Sequence, residues 1–90
     1  MKILYYSTQF KKDLKRYRNE SKKMEKLYSV LQMLENEEEL PPELKAHRLT
    51  GDYKYCLECH IEGDFLLIWY DDESDIIDLL RLGSHSELFK

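Results

Sequence analysis

The chain predicts an α+β domain. The expected order is β-α-α-β-β-β, with an antiparallel sheet of about four strands and an N-terminal helical hairpin packed on one face. Three observations predict it. Residues 8–34 repeat apolar side chains at helical spacing, residues 53–82 hold three runs of strand character, and Pro41-Pro42 separates the two regimes.

Lys2 to Tyr6 is a short apolar and aromatic strand. Ser7 or Thr8 can cap the helix that follows, whose face is Phe10, Leu14 and Tyr17. Asn19 and Glu20 break it. Ser21 can cap a second helix with the stripe Met24, Leu27, Tyr28, Leu31 and Leu34. Four carboxylates between Glu35 and Glu39 oppose the dipole at its C-terminus, so that end is expected to fray before the prolines stop it. A polar loop then runs to Asp52, with Gly51 as its turn residue. From Tyr53 to Ile61 the odd positions are apolar and Lys54, Cys56, Glu58 and His60 fall between them, a strand with one buried and one wetter face. Glu62-Gly63-Asp64 turns the chain. Phe65 to Tyr70 is continuously apolar, as in a central strand. After the acidic turn Asp71–Asp75, Ile76 to Leu82 forms the last strand, and Gly83-Ser84 leads to a short tail.

Ninety residues, 42% of them hydrophobic, suit one domain spanning 1–90 with one core. No apolar run reaches the length of a membrane span. The N-terminus begins like a signal peptide, but charge returns at Lys11 and no cleavage site follows, so a cytoplasmic chain with reduced Cys56 and Cys59 is expected. The net charge of −4 is segregated: residues 1–30 hold nine basic and three acidic side chains, residues 51–90 three basic and ten acidic. The acidic whole argues against nucleic acid. Its basic first third, with Lys11, Lys12, Lys15 and Arg16, can face phosphate, and a solvated helix face is the plainer reading of the same charges.

Cys56-Leu-Glu-Cys59-His60 spells a haem-attachment string, and C-x-x-C alone suggests zinc or redox chemistry. A separation of three along a strand puts the thiols on opposite faces, which argues against haem and zinc alike. Cys59 reads as core and Cys56 as half-exposed. The three histidines are more informative, because imidazole exchanges protons near neutral pH. His60 lies on the wetter face beside Glu58, near the turn that carries Asp64, and His85 follows the last strand near Arg81. Two imidazoles, a carboxylate and a guanidinium suffice to cleave a phosphodiester: one group takes the 2′-OH proton, another protonates the leaving 5′-oxygen, and arginine steadies the phosphorane. For each histidine alone, a surface or hydrogen-bonded structural role is the plainer reading.

Four strings in register carry a resemblance: Q-F-K-K-D-L-K, H-R-L-T-G-D, E-C-H-I-E-G-D-F-L-L-I-W-Y and L-R-L-G-S-H-S-E-L-F-K. Together they resemble the YafQ branch of the RelE/ParE toxin superfamily over almost the whole chain. The closing G-[ST]-H-x-x-L-F is the most specific part. The resemblance implies a RelE-like microbial ribonuclease fold and a type II toxin that cleaves mRNA in the ribosomal A site under the control of an antitoxin. It also implies a reaction without cofactor or metal, ending in a 2′,3′-cyclic phosphate. It assigns functional positions to His47, His60, Asp64, His85 and Phe89: His85 as general acid, His60 or Asp64 as activator of the 2′-OH, His47 on the phosphate, Arg81 as added positive charge and Phe89 as a base-stacking ring. Phe65 stands where the nearest relatives often have Trp, so it keeps an aromatic contact to substrate and loses the indole N–H. Two alternatives share the fold: a non-enzymatic ParE-like toxin, which lacks such a histidine set, and an inactive remnant that only binds antitoxin. All these expectations require the imidazoles and one carboxylate to gather around a single phosphate.

Overall fold

The computed structural model describes residues 1–89. Strand β1 (Ile3–Tyr6) leads into helices α1 (Thr8–Tyr17) and α2 (Ser21–Glu35). The connection then holds a 3-10 turn at Pro42–Leu44, the two-residue strand β2 (His47–Arg48) and a second 3-10 turn at Gly51–Tyr53. Strands β3 (Leu57–Glu62), β4 (Phe65–Asp71) and β5 (Ile76–Gly83) follow, and the one-turn helix α3 (His85–Leu88) comes last.

The sheet has five strands in the order β1-β5-β4-β3-β2. The antiparallel meander β3-β4-β5 is as the sequence predicts, but the sheet is mixed, because β1 pairs parallel to β5 with Ile3 opposite Ile76. No local pattern signals a pairing that joins the two ends of the chain. The fifth strand, β2, lies in what reads as a polar loop; two residues are too few to show alternation. At Tyr53–Ile61 the expected strand is shortened: Gly51–Tyr53 is a 3-10 turn and Tyr55 takes a left-handed φ of 75°, so pairing begins at Leu57.

The two helices form where their stripes predict, yet they are not a hairpin packed chiefly on itself. α1 lies on β5, and α2 lies on β3 and β1. Ser7 caps α1 by accepting the Phe10 N–H at 3.1 Å, whereas α2 has no side-chain cap and Ser21 is its first residue. Tyr28 is 52% exposed, and Val30 takes the buried place beside Leu27, Leu31 and Leu34. The acidic end of α2 does not fray. Glu37 turns left-handed at φ 58°, its N–H reaches Leu34 O, and the Glu38 N–H reaches Met33 O, the paired bonds of a Schellman motif.

Both sheet faces are covered, unequally. The helix-covered face buries Phe10, Tyr17, Leu27, Leu31, Cys59, Ile61, Leu67, Trp69, Ile77 and Leu79 in the main core. The opposite face holds a small cluster of Cys56, Leu66, Ile68 and Leu88, flanked by Tyr53, Leu80 and Phe89. The continuous apolar run of β4 follows from this two-sided burial. The two cysteines lie on opposite sides, as a spacing of three predicts, but Cys56 is buried as well, under the second cluster. Burial pushes the Cys59 thiol up to about 12, which leaves it unreactive.

Candidate functional site

The face opposite α1 and α2 collects the polar groups. His47 pairs with Glu58, Glu58 with Ile68, and Ile68 with Arg81, so one row across four strands presents these side chains to the same side. His60 lies one step along β3 from that row, opposite Leu66. The short strand β2 therefore matters: it delivers His47 to the row.

Glu58 is only 3% exposed, and two imidazoles stand over one of its oxygens. His47 Nε2 is 3.3 Å and His60 Nε2 3.7 Å from Glu58 Oε1, with ring centroids 6.3 Å apart. Each ring's other nitrogen faces a backbone carbonyl: His47 Nδ1 lies 2.8 Å from Lys45 O, and His60 Nδ1 3.4 Å from Gly63 O. A carbonyl and a carboxylate both only accept, so each ring is flanked by acceptors at its two nitrogens, with Nε2 facing Glu58. Among the described residues, Glu58 Oε2 is buried with no hydrogen-bond partner. A carboxylate so placed gains most when the imidazoles above it are charged.

The third histidine is held by the same turn that holds His60. Asp64 Oδ1 accepts the His85 backbone N–H at 2.8 Å, so the Gly63-Asp64 turn touches His60 through a carbonyl and His85 through a carboxylate. Gly63 supplies the left-handed φ of 49° this two-residue turn requires. Helix α3 is one turn long and is fixed by Glu87. Ser84 and Glu87 form a capping box, in which Glu87 Oε1 accepts the Ser84 N–H at 2.7 Å, and Glu87 also takes the Tyr17 hydroxyl and Arg16 Nη1 from α1. The Ser84 backbone donor first, then the Tyr17 hydroxyl, hold the Glu87 carboxyl down to about 2. A Cβ on Gly83 would lie 2.7 Å from Glu87 Oε1, so the glycine leaves room for this carboxylate. The His85 ring, exposed at the surface, packs on Phe89 with centroids 4.7 Å apart.

Arg81 is tied from both ends. Asp13, fully buried on α1, accepts Arg81 Nε at 2.9 Å and the Leu82 N–H at 2.9 Å. β1 ends before Leu82, so Asp13 satisfies an edge donor of β5 that no strand reaches. Arg81 Nη1 donates to the Tyr53 hydroxyl at 3.3 Å. Its bond to Asp13 raises the guanidinium above its ordinary value, so it stays charged.

The sequence matches, over residues 2–90, the family described as the bacterial toxin of type II toxin-antitoxin systems, YafQ. The chain belongs to the YafQ toxin family. It is similar to the mRNA interferase toxin YafQ of Escherichia coli strain K12, with 35% identity over 85 residues, 93% of this chain and 91% of that one. The E. coli DinJ-YafQ complex contains a chain that superposes with a TM-score of 0.87 at 32% identity, covering all of both chains. A metal-bound toxin from Helicobacter pylori superposes with a TM-score of 0.88 at 39% identity, over 99% of this chain and 100% of the other. The metal belongs to that relative. Among the described residues here, no three His, Cys, Asp or Glu side chains are arranged to hold a metal ion.

In this YafQ-family chain the predicted residues divide three ways. His47 and His60 meet over Glu58, and His85 meets Phe89; the Gly63-Asp64 turn joins the two groups. Phe65 does not join them. It is 2% exposed and sits in the main core against Tyr17, centroids 4.8 Å apart, because it points to the helix side with Leu67 and Trp69. A substrate contact for Phe65 is therefore corrected to a packing role. Lys11, Lys12 and Lys15 are exposed on α1, while Arg16 is partly committed to Glu87 at 3.0 Å. Sequence reasoning passed over Asp13, Tyr53, Glu58 and Glu87 as functional supports. Glu58 stands two positions before His60 on the same strand face, Asp13 falls between Phe10 and Tyr17 on the α1 stripe, and Ser84-x-x-Glu87 is a legible capping box.

Proposed function

We propose that this chain is an mRNA interferase: a toxin that cleaves mRNA on the ribosome by acid–base attack of the 2′-OH on the adjacent phosphate, silenced by a cognate antitoxin. The observation that carries the reading is the Gly63-Asp64 turn, which holds His60 by the Gly63 carbonyl and His85 by Asp64. His60 Nε2 takes the 2′-OH proton, and Glu58, whose Oε1 lies 3.7 Å from that same nitrogen, stabilises the imidazolium that forms. His85 protonates the departing 5′-oxygen. His47, over the same carboxylate, faces the phosphate, and Asp64 positions His85 through its backbone. Arg81 contributes a fixed positive charge whose main partner is Asp13. The histidines lie on an open sheet face. The ribosome closes this face and aligns the RNA, and the exposed lysines of α1 meet ribosomal phosphate. Antitoxin binding is supported by the DinJ-YafQ complex of the E. coli relative.

His85→Ala tests the reading. Induced expression with mapping of mRNA ends should show cleavage falling by on the order of 10²–10⁴-fold, the contribution of one general acid. Folding and antitoxin binding should persist, since the ring is exposed and α3 is held by Ser84, Glu87 and Leu88. Growth arrest as strong as that of the wild type would refute the role.

A further inference from the structure

Next to Phe89 the face opposite α1 and α2 opens into a cleft of about 240 Å³ lined by Thr50, Asp52, Tyr53, Leu88 and Phe89. It falls below the ~300–1,000 Å³ of sites for drug-sized ligands and suits a single planar ring system. Its aromatic wall is rigid. The Tyr53 hydroxyl accepts from Arg81 Nη1 at 3.3 Å and donates to Leu88 O at 3.4 Å, so the ring is pinned at its far end. Phe89 meets it edge to face, centroids 5.5 Å apart at 79°, and Phe89 also touches the His85 ring. The polar part of the lining differs in kind. Thr50 and Asp52 are exposed, and among the described residues no hydrogen bond or ion pair of either side chain appears.

Aromatic walls accept the face of an unpaired base, and an edge-on polar group then reads its hydrogen-bonding pattern. An ionised carboxylate can only accept. Guanine alone among the four RNA bases presents two adjacent donors, N1–H and the 2-amino group. Adenine, cytosine and uracil each place an acceptor beside their donor, which would face the Asp52 oxygens. The geometry points to a nucleobase subsite in this cleft, which holds an unpaired guanine of the substrate beside the scissile phosphate and selects it through Asp52. This deepens the nuclease reading and rests on it for the position of the phosphate.

The experiment has two arms. In the first, the purified chain is titrated with GMP, AMP, CMP and UMP, following the ring resonances of Tyr53 and Phe89. GMP should bind about tenfold more tightly than the others, the lower range of discrimination for a bidentate contact, and Asp52→Asn should erase the preference. In the second, cut sites are mapped for wild type and Asp52→Asn. Guanine should be enriched at one fixed position relative to the cut, and the enrichment should vanish in the variant. Equal binding of the four nucleotides, or an unchanged preference in Asp52→Asn, overturns the subsite. A GMP preference with unbiased cut sites also overturns it as a substrate site and points instead to a guanine of the ribosome. A GMP preference without any mRNA cleavage supports the subsite and refutes the nuclease reading.

Discussion

The two faces of the sheet bury different kinds of side chain. On the helix-covered face the buried set is almost wholly apolar, and its single buried acid, Asp13, is neutralised by a guanidinium and a backbone N–H. On the other face a small apolar cluster sits beside Glu58, whose buried carboxylate faces two half-exposed imidazoles. The main core lies on the first face and the His47–Glu58–His60 group on the second. The buried acid of the first face has fixed donors supplied by the fold, whereas that of the second faces imidazoles, which can change charge near neutral pH.

Paired substitutions can break this division. Leu67→Ala removes a fully buried side chain from the helix side and should cost about 2–5 kcal/mol of stability, while cleavage per folded molecule stays near wild type. Glu58→Gln should do the reverse, lowering cleavage by on the order of a hundredfold with a melting temperature close to wild type. Thermal melts and single-turnover cleavage on the same samples decide it; a Glu58→Gln protein that unfolds yet retains its specific activity would erase the distinction.

A gentler effect lies at the seam where α3 meets α1. Glu87 is held down to about 2 in the fold, below its ordinary 4.5. A depressed carboxyl contributes stability that is fully present above its unfolded value and is lost as pH falls through the folded one. The chain should therefore lose stability between about pH 4.5 and pH 2, and Glu87→Gln should be less stable at neutral pH and flatter across that window. Melting curves at stepped pH check this, and an identical acid profile in the variant would show that Glu87 does not anchor α3. The smallest effect concerns docking. Replacing Lys11, Lys12 and Lys15, with Arg16 left in place, should weaken ribosome association and lower its dependence on salt. An unaltered slope in sedimentation assays across salt concentrations would move the docking surface elsewhere.

How much of this was legible in the sequence follows from the range of each signal. Helical stripes and the β3-β4-β5 alternation are local, so Phe10, Leu27, Cys59 and Leu67 are readable as core. The parallel docking of β1 on β5 joins residues over seventy positions apart, and β2 is too brief for any period to register. Tyr55 defeats the strand expectation because a left-handed φ in a non-glycine residue leaves no trace in alternation. Of the site, His47, His60 and His85 were visible as residue types and Asp64 through its turn. Phe65 was misplaced because its substrate contact rested on the resemblance alone, and the alternation along β4 puts it on the helix side with Leu67 and Trp69. Asp13 and Glu58 were missed because charge argues for the surface until a fold supplies partners.

The hairpin between β3 and β4 acts as a caliper. One jaw is a peptide oxygen and the other a carboxylate two atoms beyond the chain, so the spacing between the His60 ring and the His85 backbone is set at a single two-residue turn. A residue inserted after Gly63 would reset that gauge for both histidines at once, even though every chemically reactive side chain would still be there.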